Sequence, residues 1–118
     1  MLIDHDAKYI LNELLLDISR ISSTEYQIRV WIRTEGPECD NFDEICCRFF
    51  GTATGVLNEY KEFGLTDQQY LLLFNFRTEF ELFANENDYP EEFIDTRKWI
   101  KITEMAKEML KSFNYGKS

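Results

Sequence analysis

A stripe of apolar residues at helical spacing opens the chain. It consists of Ala7, Ile10, Leu11, Leu14, Leu15 and Ile18. This spacing places all six side chains on one face of an α-helix. Asp4 or Asp6 can serve as the N-cap, since a carboxylate there accepts a bond from a free first-turn amide. The pattern predicts a first helix that ends near Arg20.

The next segment carries two competing patterns. Ser22 and Glu25 have the spacing of a capping box, and Gly36-Pro37 is typical of a helix stop. These signals predict a second helix over residues 23–35. Within residues 26–34, however, isoleucine and valine alternate with arginine and tryptophan in the two-residue period of a half-buried strand. A short strand at 26–34, in an α+β fold, is the alternative, although no second segment offers it an obvious partner.

Helical spacing returns after an acidic loop. The apolar positions are Phe42, Ile45, Cys46, Phe49 and Phe50, followed by Val56, Leu57, Tyr60 and Phe63. Gly51 and Gly55 lie between the two groups and are expected to weaken or kink the helix, because glycine has a low helix propensity. Gly64 is expected to end it.

Thr66 and Gln69 form a second capping-box pattern, which predicts the start of a further helix. Its stripe consists of Tyr70, Leu73, Phe74, Arg77 and Phe80, broadened by Phe76 and Phe83. A helix that is apolar over much of its circumference is usually buried. We therefore expect this helix to be the central one.

Pro90 suits the first position of a last helix that runs to about Phe113, with a possible interruption at Asp95-Thr96. Its buried stripe is Trp99, Ile102, Thr103, Ala106, Met109, Leu110 and Phe113. Together these patterns predict an all-α fold, a single-domain bundle of about five helices over residues 1–118.

The composition supports a packed core without pointing to a cofactor. Hydrophobic residues make up 44% of the chain and ten are phenylalanine. The longest apolar run, residues 70–74, is too short to cross a membrane, and no secretory signal is visible, so we expect a cytoplasmic protein. Cys39, Cys46, Cys47 and the single His5 lack the spacing of a zinc site. We expect three reduced thiols, no metal and no cofactor.

The sequence lacks the patterns of common catalytic and nucleic-acid sites. A nucleophile could use only His5 as its base, and residues 51–55 lack the lysine of a phosphate-binding loop. The lysines between Lys98 and Lys111 are interrupted by Glu104 and Glu108, so a nucleic-acid interface is not expected. We predict that the protein is not an enzyme.

The charge is distributed unevenly. Residues 1–95 carry a formal −13 and residues 96–118 a formal +4, giving −9 at pH 7. Two stretches without lysine or arginine, residues 34–47 and 78–96, hold most of the excess acid. A field of this size repels nucleic acid and attracts basic proteins.

In size, acidity, helical layout and lack of catalytic motifs, the whole chain resembles bacterial toxin immunity proteins of the contact-dependent growth inhibition and colicin types. The resemblance implies that the protein binds a basic nuclease toxin domain and occludes its active site. An acidic helical adaptor or regulatory domain that binds a basic cellular protein is the alternative, and an enzyme comes third. We expect one of the two acidic blocks to contact the partner, either Glu35, Glu38, Asp40, Asp43 and Glu44 or Glu86, Asp88, Glu91, Glu92 and Asp95.

Overall fold

The computed structural model describes residues 4–116. Within these residues, four long α-helices pack around a shared core, together with two short α-helices and one π-helical segment. The elements are α1 (Asp4–Ser22), α2 (Thr24–Tyr26), the π-helical segment (Gln27–Ile32), α3 (Phe42–Asn58), α4 (Asp67–Glu86), α5 (Pro90–Phe93) and α6 (Arg97–Ser112). The described residues contain no strand. The all-α fold is therefore confirmed, and the alternative strand at 26–34 is wrong.

The long helices follow one another around the bundle. α1 packs against α3 and α6, and α4 packs against the same two helices from the other side. α4 and α6 are antiparallel, because Gln69 at the start of α4 donates a 3.0 Å bond to the carbonyl of Ser112 at the end of α6. No helix in the described part of the chain has both the length and the apolar character needed to cross a membrane.

The core is continuous and rich in aromatic rings. It includes Leu14, Ile18, Val30, Trp31, Phe42, Ile45, Phe49, Phe76, Phe80, Phe93, Trp99 and Met109. Every element except α2 contributes to it. Burying one large apolar side chain stabilises a fold by about 1.5–3 kcal/mol, so this cluster dominates the packing energy.

The junction between α1 and α2 lies one residue later than the sequence predicts. α1 extends two residues past Arg20, and the Ser22 hydroxyl donates to the carbonyl of Ser19 rather than capping α2. Ser23 is the N-cap, and its hydroxyl accepts a 3.1 Å bond from the amide of Tyr26. An N-cap needs an extended backbone, which Ser23 has and the helical Ser22 lacks.

The predicted cap of α1 also differs from the structure. Asp4 and Asp6 both lie inside the helix. The preceding position falls outside the described residues.

The burial pattern of the π-helical segment differs from that of a half-buried strand. Its neighbouring residues Val30 and Trp31 are both buried, whereas in a half-buried strand adjacent residues point to opposite faces and only one of them is buried. The wider π turn is closed by a bond from the amide of Arg33 to the carbonyl of Ile28. The helical segment ends three residues before the predicted Glu35.

α3 runs without interruption through Gly51 and Gly55, so neither glycine ends the helix. Both glycines are exposed, while Ala53 and Val56 on the inner face are fully buried. The inner packing outweighs a helix-propensity cost of about 1 kcal/mol for each glycine. The helix ends at Asn58, earlier than predicted, and a turn follows.

The start of α4 is confirmed, since Thr66 and Gln69 form the reciprocal bonds of a capping box. Its predicted central position is wrong. One side of α4 is uncovered, and Leu71, Phe74 and Leu82 face solvent. Periodicity shows that a helix has apolar faces but does not show how many of them find a neighbour.

The predicted interruption before the last helix is confirmed. Pro90 begins the short α5, and Thr96 caps α6 by accepting a 3.3 Å bond from the amide of Trp99. The predicted stripe of α6 faces the core, with Trp99 and Ala106 completely buried.

Candidate partner-binding surface

The elements that carry the two acidic blocks are in contact through two buried aromatic rings. Phe42 is the first residue of α3 and Phe93 the last of α5, and their ring centroids lie 4.8 Å apart. The contact sets the first turn of α3 beside α5. We use the term acidic end for the six exposed acids carried by these turns and the adjoining residues, namely Asp43, Glu44, Asp88, Glu91, Glu92 and Asp95. The sequence analysis treated the two blocks as alternatives, whereas in the fold a buried aromatic contact links the helices next to them.

Buried aromatic rings pack against one another beneath the backbone that carries the acidic end. Phe93 lies 4.8 Å from Trp99 and 5.0 Å from Phe83, measured between ring centroids. Phe42 lies 5.7 Å from Trp31. The Phe83–Phe93 and Trp31–Phe42 pairs are edge-to-face, a geometry that contributes about 0.5–1.5 kcal/mol beyond area burial. The acids therefore lie on or next to helices that are held by a packed aromatic cluster.

Gln27 connects this aromatic cluster to α1. Its side chain is completely buried, and its Oε1 atom accepts a 2.9 Å bond from the indole Nε1 of Trp99. Its Nε2 atom donates to the carbonyls of Arg20 at 3.0 Å and Ile21 at 2.8 Å. One side chain thus satisfies carbonyls at the end of α1 and fixes the first turn of α6.

Glu38, a predicted contact residue, is already paired within the protein. Arg29 donates two bonds to its carboxylate, at 2.8 and 2.9 Å. These bonds lower the pKa of Glu38 to about 2. The pair fastens the loop that follows the π-helical segment, which makes Glu38 a structural residue. Glu35 in the same loop is exposed and lies 3.8 Å from Arg33.

Asp40, also a predicted contact residue, belongs to a network centred on Arg48. Arg48 donates to Asp40 at 3.1 Å and to the buried Asp17 of α1 at 3.2 Å. The Tyr26 hydroxyl donates to the other oxygen of Asp40 at 2.9 Å. Arg20 completes the network with a 3.3 Å bond to Asp17. The network joins α1, α2, the acidic loop and α3.

The network changes the proton affinities of its members. Burial alone would raise the pKa of Asp40, but the bonds from Arg48 and Tyr26 outweigh it and the pKa is lowered. Burial, together with the bond to Asp40, raises the pKa of Tyr26 to about 12. Both shifts keep the network in its bonded form across neutral pH.

The expectation that all ten acids lack a nearby base is therefore wrong for four of them, Glu35, Glu38, Asp40 and Glu86. Arg29 and Arg48, which pair with Glu38 and Asp40, lie outside the base-free stretch of sequence and reach it only in the folded chain. Glu86 is exposed and lies 3.8 Å from Lys98. Within residues 4–116, none of the six acids of the acidic end forms a salt bridge within 4.0 Å.

Sequence reasoning did not single out Tyr89, which stands among these acids. It is the N-cap residue of α5 and is 58% exposed, between Asp88 and the buried Pro90. Tyrosine is among the residue types enriched at the positions that dominate binding energy in protein interfaces. The sequence feature that could have identified Tyr89 is the presence of an aromatic residue within an otherwise polar turn.

The thiols lie outside the acidic end. Cys39 and Cys47 are exposed and Cys46 is half-buried, and all three are free. Burial raises the pKa of Cys46 to about 12. In the part of the chain that the structure describes, no group of three histidines, cysteines or acids is placed to hold a metal ion.

Comparison with models of protein families, with curated proteins and with solved structures found no match to this chain. Geometry and charge are therefore the grounds on which its function is proposed.

Proposed function

We propose that this protein is an immunity protein, an inhibitor that binds a basic bacterial toxin domain through the acidic end. The observation that supports the proposal is the buried contact between Phe42 and Phe93, which links the elements that carry the two acidic blocks, and we propose that their exposed acids form one surface. The toxin is proposed to be a nuclease, since nucleases carry lysine and arginine around the groove that binds phosphate. Occupying that groove with carboxylates blocks it to nucleic acid.

Each part of the surface has a separate role in binding. The six carboxylates and the net charge of −9 speed association with a basic surface and select against acidic partners. Tyr89 supplies apolar area that leaves water on binding and slows dissociation. Neither role requires a catalytic residue, a metal or a cofactor. We place this activity in the cytoplasm, where an immunity protein meets an incoming nuclease toxin.

The proposal is tested by capturing partners from the native cytosol and identifying them by mass spectrometry. Glu44→Lys and Glu92→Lys then reverse one charge on each side of the Phe42–Phe93 contact. The binding free energy for the captured basic protein should weaken by about 2–5 kcal/mol if Glu44 or Glu92 pairs with a buried base of that partner. The loss should be smaller if both acids lie at the rim of the interface. Association should slow, and its salt dependence should weaken.

The matched control reverses two exposed acids on α6, Glu104→Lys with Glu108→Lys. It changes net charge equally but should leave affinity nearly unchanged. Equal effects of both double variants would contradict docking at the acidic end. If the partner binds but keeps its nuclease activity, and cells are not protected, the protein is an adaptor and not an inhibitor.

A further inference from the structure

A cavity of about 290 Å³ opens between α1 and α3. We propose that it binds a small organic cation, a primary ammonium group on an apolar body. On the α1 side its lining includes Tyr9, Glu13 and Asp17, which share one face of the helix because they lie four residues apart. Arg48 and Thr52 line it from α3. None of the six acids of the acidic end lines this cavity, so the inference does not rest on the proposed function.

Two carboxylates at the cavity have bonding capacity that the protein does not use. Asp17 is only 5% exposed, and Arg20 and Arg48 both donate to its Oδ1 atom, at 3.3 and 3.2 Å. Within residues 4–116 its Oδ2 atom accepts no hydrogen bond, although an ionised carboxylate can accept about four in total. The carboxylate of Glu13 is exposed and forms no salt bridge within the described residues.

The hydroxyl of Thr52 is the third unused group. Six of the seven serines and threonines in the four long helices donate a hydrogen bond to a carbonyl three or four residues earlier, namely Ser19, Ser22, Thr54, Thr78, Thr103 and Ser112. Thr52 is the seventh, and its half-buried hydroxyl forms no hydrogen bond within the part of the chain that the structure describes. Its oxygen is therefore free to accept a bond from a ligand.

The chemistry of these groups matches a primary ammonium. Such a group carries three donors and no acceptor, and the cavity offers three unused acceptors, on Glu13, Asp17 and Thr52. The half-buried Ile10 and Leu16 also line the cavity and can contact the hydrocarbon body of the ligand. The volume lies just below the roughly 300–1,000 Å³ typical of sites for drug-sized molecules, so the ligand is small.

Charge favours a cation over an anion at this site. Arg20 and Arg48 lie at the cavity, but Asp17 pairs with both of them and Asp40 pairs with Arg48 as well. With Glu13 included, three acids face two bases, a formal charge of −1 on a protein of −9. A bound ammonium brings the local charge to zero, whereas a bound anion would increase the excess of negative charge.

The probe is n-hexylammonium, which stays charged at neutral pH because an alkylamine titrates near the lysine value. Two-dimensional amide NMR spectra of the full chain report both the affinity and the place of binding. We expect shifts of amide signals in residues 9–20 and 48–52, with a Kd of about 1 mM, in keeping with so small a ligand. 1-Hexanol and hexanoate have the same apolar chain with a neutral and an anionic head, and they should bind about tenfold more weakly or less.

Glu13→Gln with Thr52→Val removes two of the three acceptors. Neither group has a partner in the protein, so the fold should be retained, and circular dichroism checks this. Binding of hexylammonium should weaken by about tenfold, because one charge-assisted and one neutral hydrogen bond are lost. The matched control is Glu104→Gln with Thr54→Val, which makes the same chemical changes at two exposed positions outside the cavity and should leave the Kd unchanged.

Four results would overturn the inference. Hexanoate binding as tightly as hexylammonium would mean that the arginines select an anion, and equally tight binding of hexanol would mean that the cavity takes up hydrocarbon without reading charge. Equal losses of affinity in the Glu13/Thr52 variant and the Glu104/Thr54 control would place the ligand elsewhere. The last is the absence of shifts in residues 9–20 and 48–52 at about 20 mM hexylammonium, well above the Kd expected for a ligand of this size.

Discussion

Replacing Gln27 with leucine tests how the acidic end is held in place. The substitution keeps the approximate volume of a completely buried side chain and removes its three hydrogen bonds. The indole N–H of Trp99 and the carbonyl of Ile21 then remain buried without this partner. Leaving a buried polar group unsatisfied costs about 1–3 kcal/mol. Since two such groups are affected, we expect the free energy of unfolding to fall by about 2–5 kcal/mol.

The assay is urea denaturation followed by circular dichroism and tryptophan fluorescence. Gln68→Leu is the matched control, because Gln68 is exposed on α4, and it should change stability by no more than about 0.5 kcal/mol. The Trp99→Phe background removes the indole donor, so Gln27→Leu should cost less there than in the wild type. Equal costs in both backgrounds, or a cost for Gln27→Leu no greater than the control, would refute the reasoning.

Two further outcomes follow from the pKa shifts. The folded chain holds the proton of Glu38 less tightly than the unfolded chain, with a pKa lowered from 4.5 to about 2, and the pKa of Asp40 is lowered in the same direction. The stabilisation of the fold by these two carboxylates should be complete above about pH 4.5 and should disappear as the pH falls toward 2. Identical urea midpoints at pH 7 and pH 3 would contradict this. Maleimide at neutral pH should label Cys39 and Cys47 first and reach Cys46 only on unfolding, because burial raises its pKa to about 12. Equal labelling rates for all three thiols would be the contrary result.

Local signals in the sequence were sufficient for most of the helices. Thr66 was predicted to cap α4, and the break before Thr96 was predicted, because capping depends on residues only a few positions apart. The π-helical segment was not predicted. Its register is set by the burial of Trp31 against Phe42 and Trp99, and these contacts join residues far apart in sequence.

The candidate surface could be predicted only in part, for a related reason. The acids of both blocks were identified from the sequence, but the contact between Phe42 and Phe93 that links the neighbouring helices was not. The pairing of Glu38 with Arg29 also needs a fold-dependent turn, in which Gly36 adopts a φ of 92°. Charge counted along a sequence therefore overstates the acid that remains available to a partner.

Amide hydrogen exchange with and without the captured basic protein tests the central claim most directly. If the acidic end binds as one surface, exchange should slow on binding in residues 42–47 and 88–96 together. It should stay unchanged in the distant turn at 59–64. Slower exchange in only one of the two acidic segments, or in neither, would contradict the claim that the fold joins them into a single docking surface.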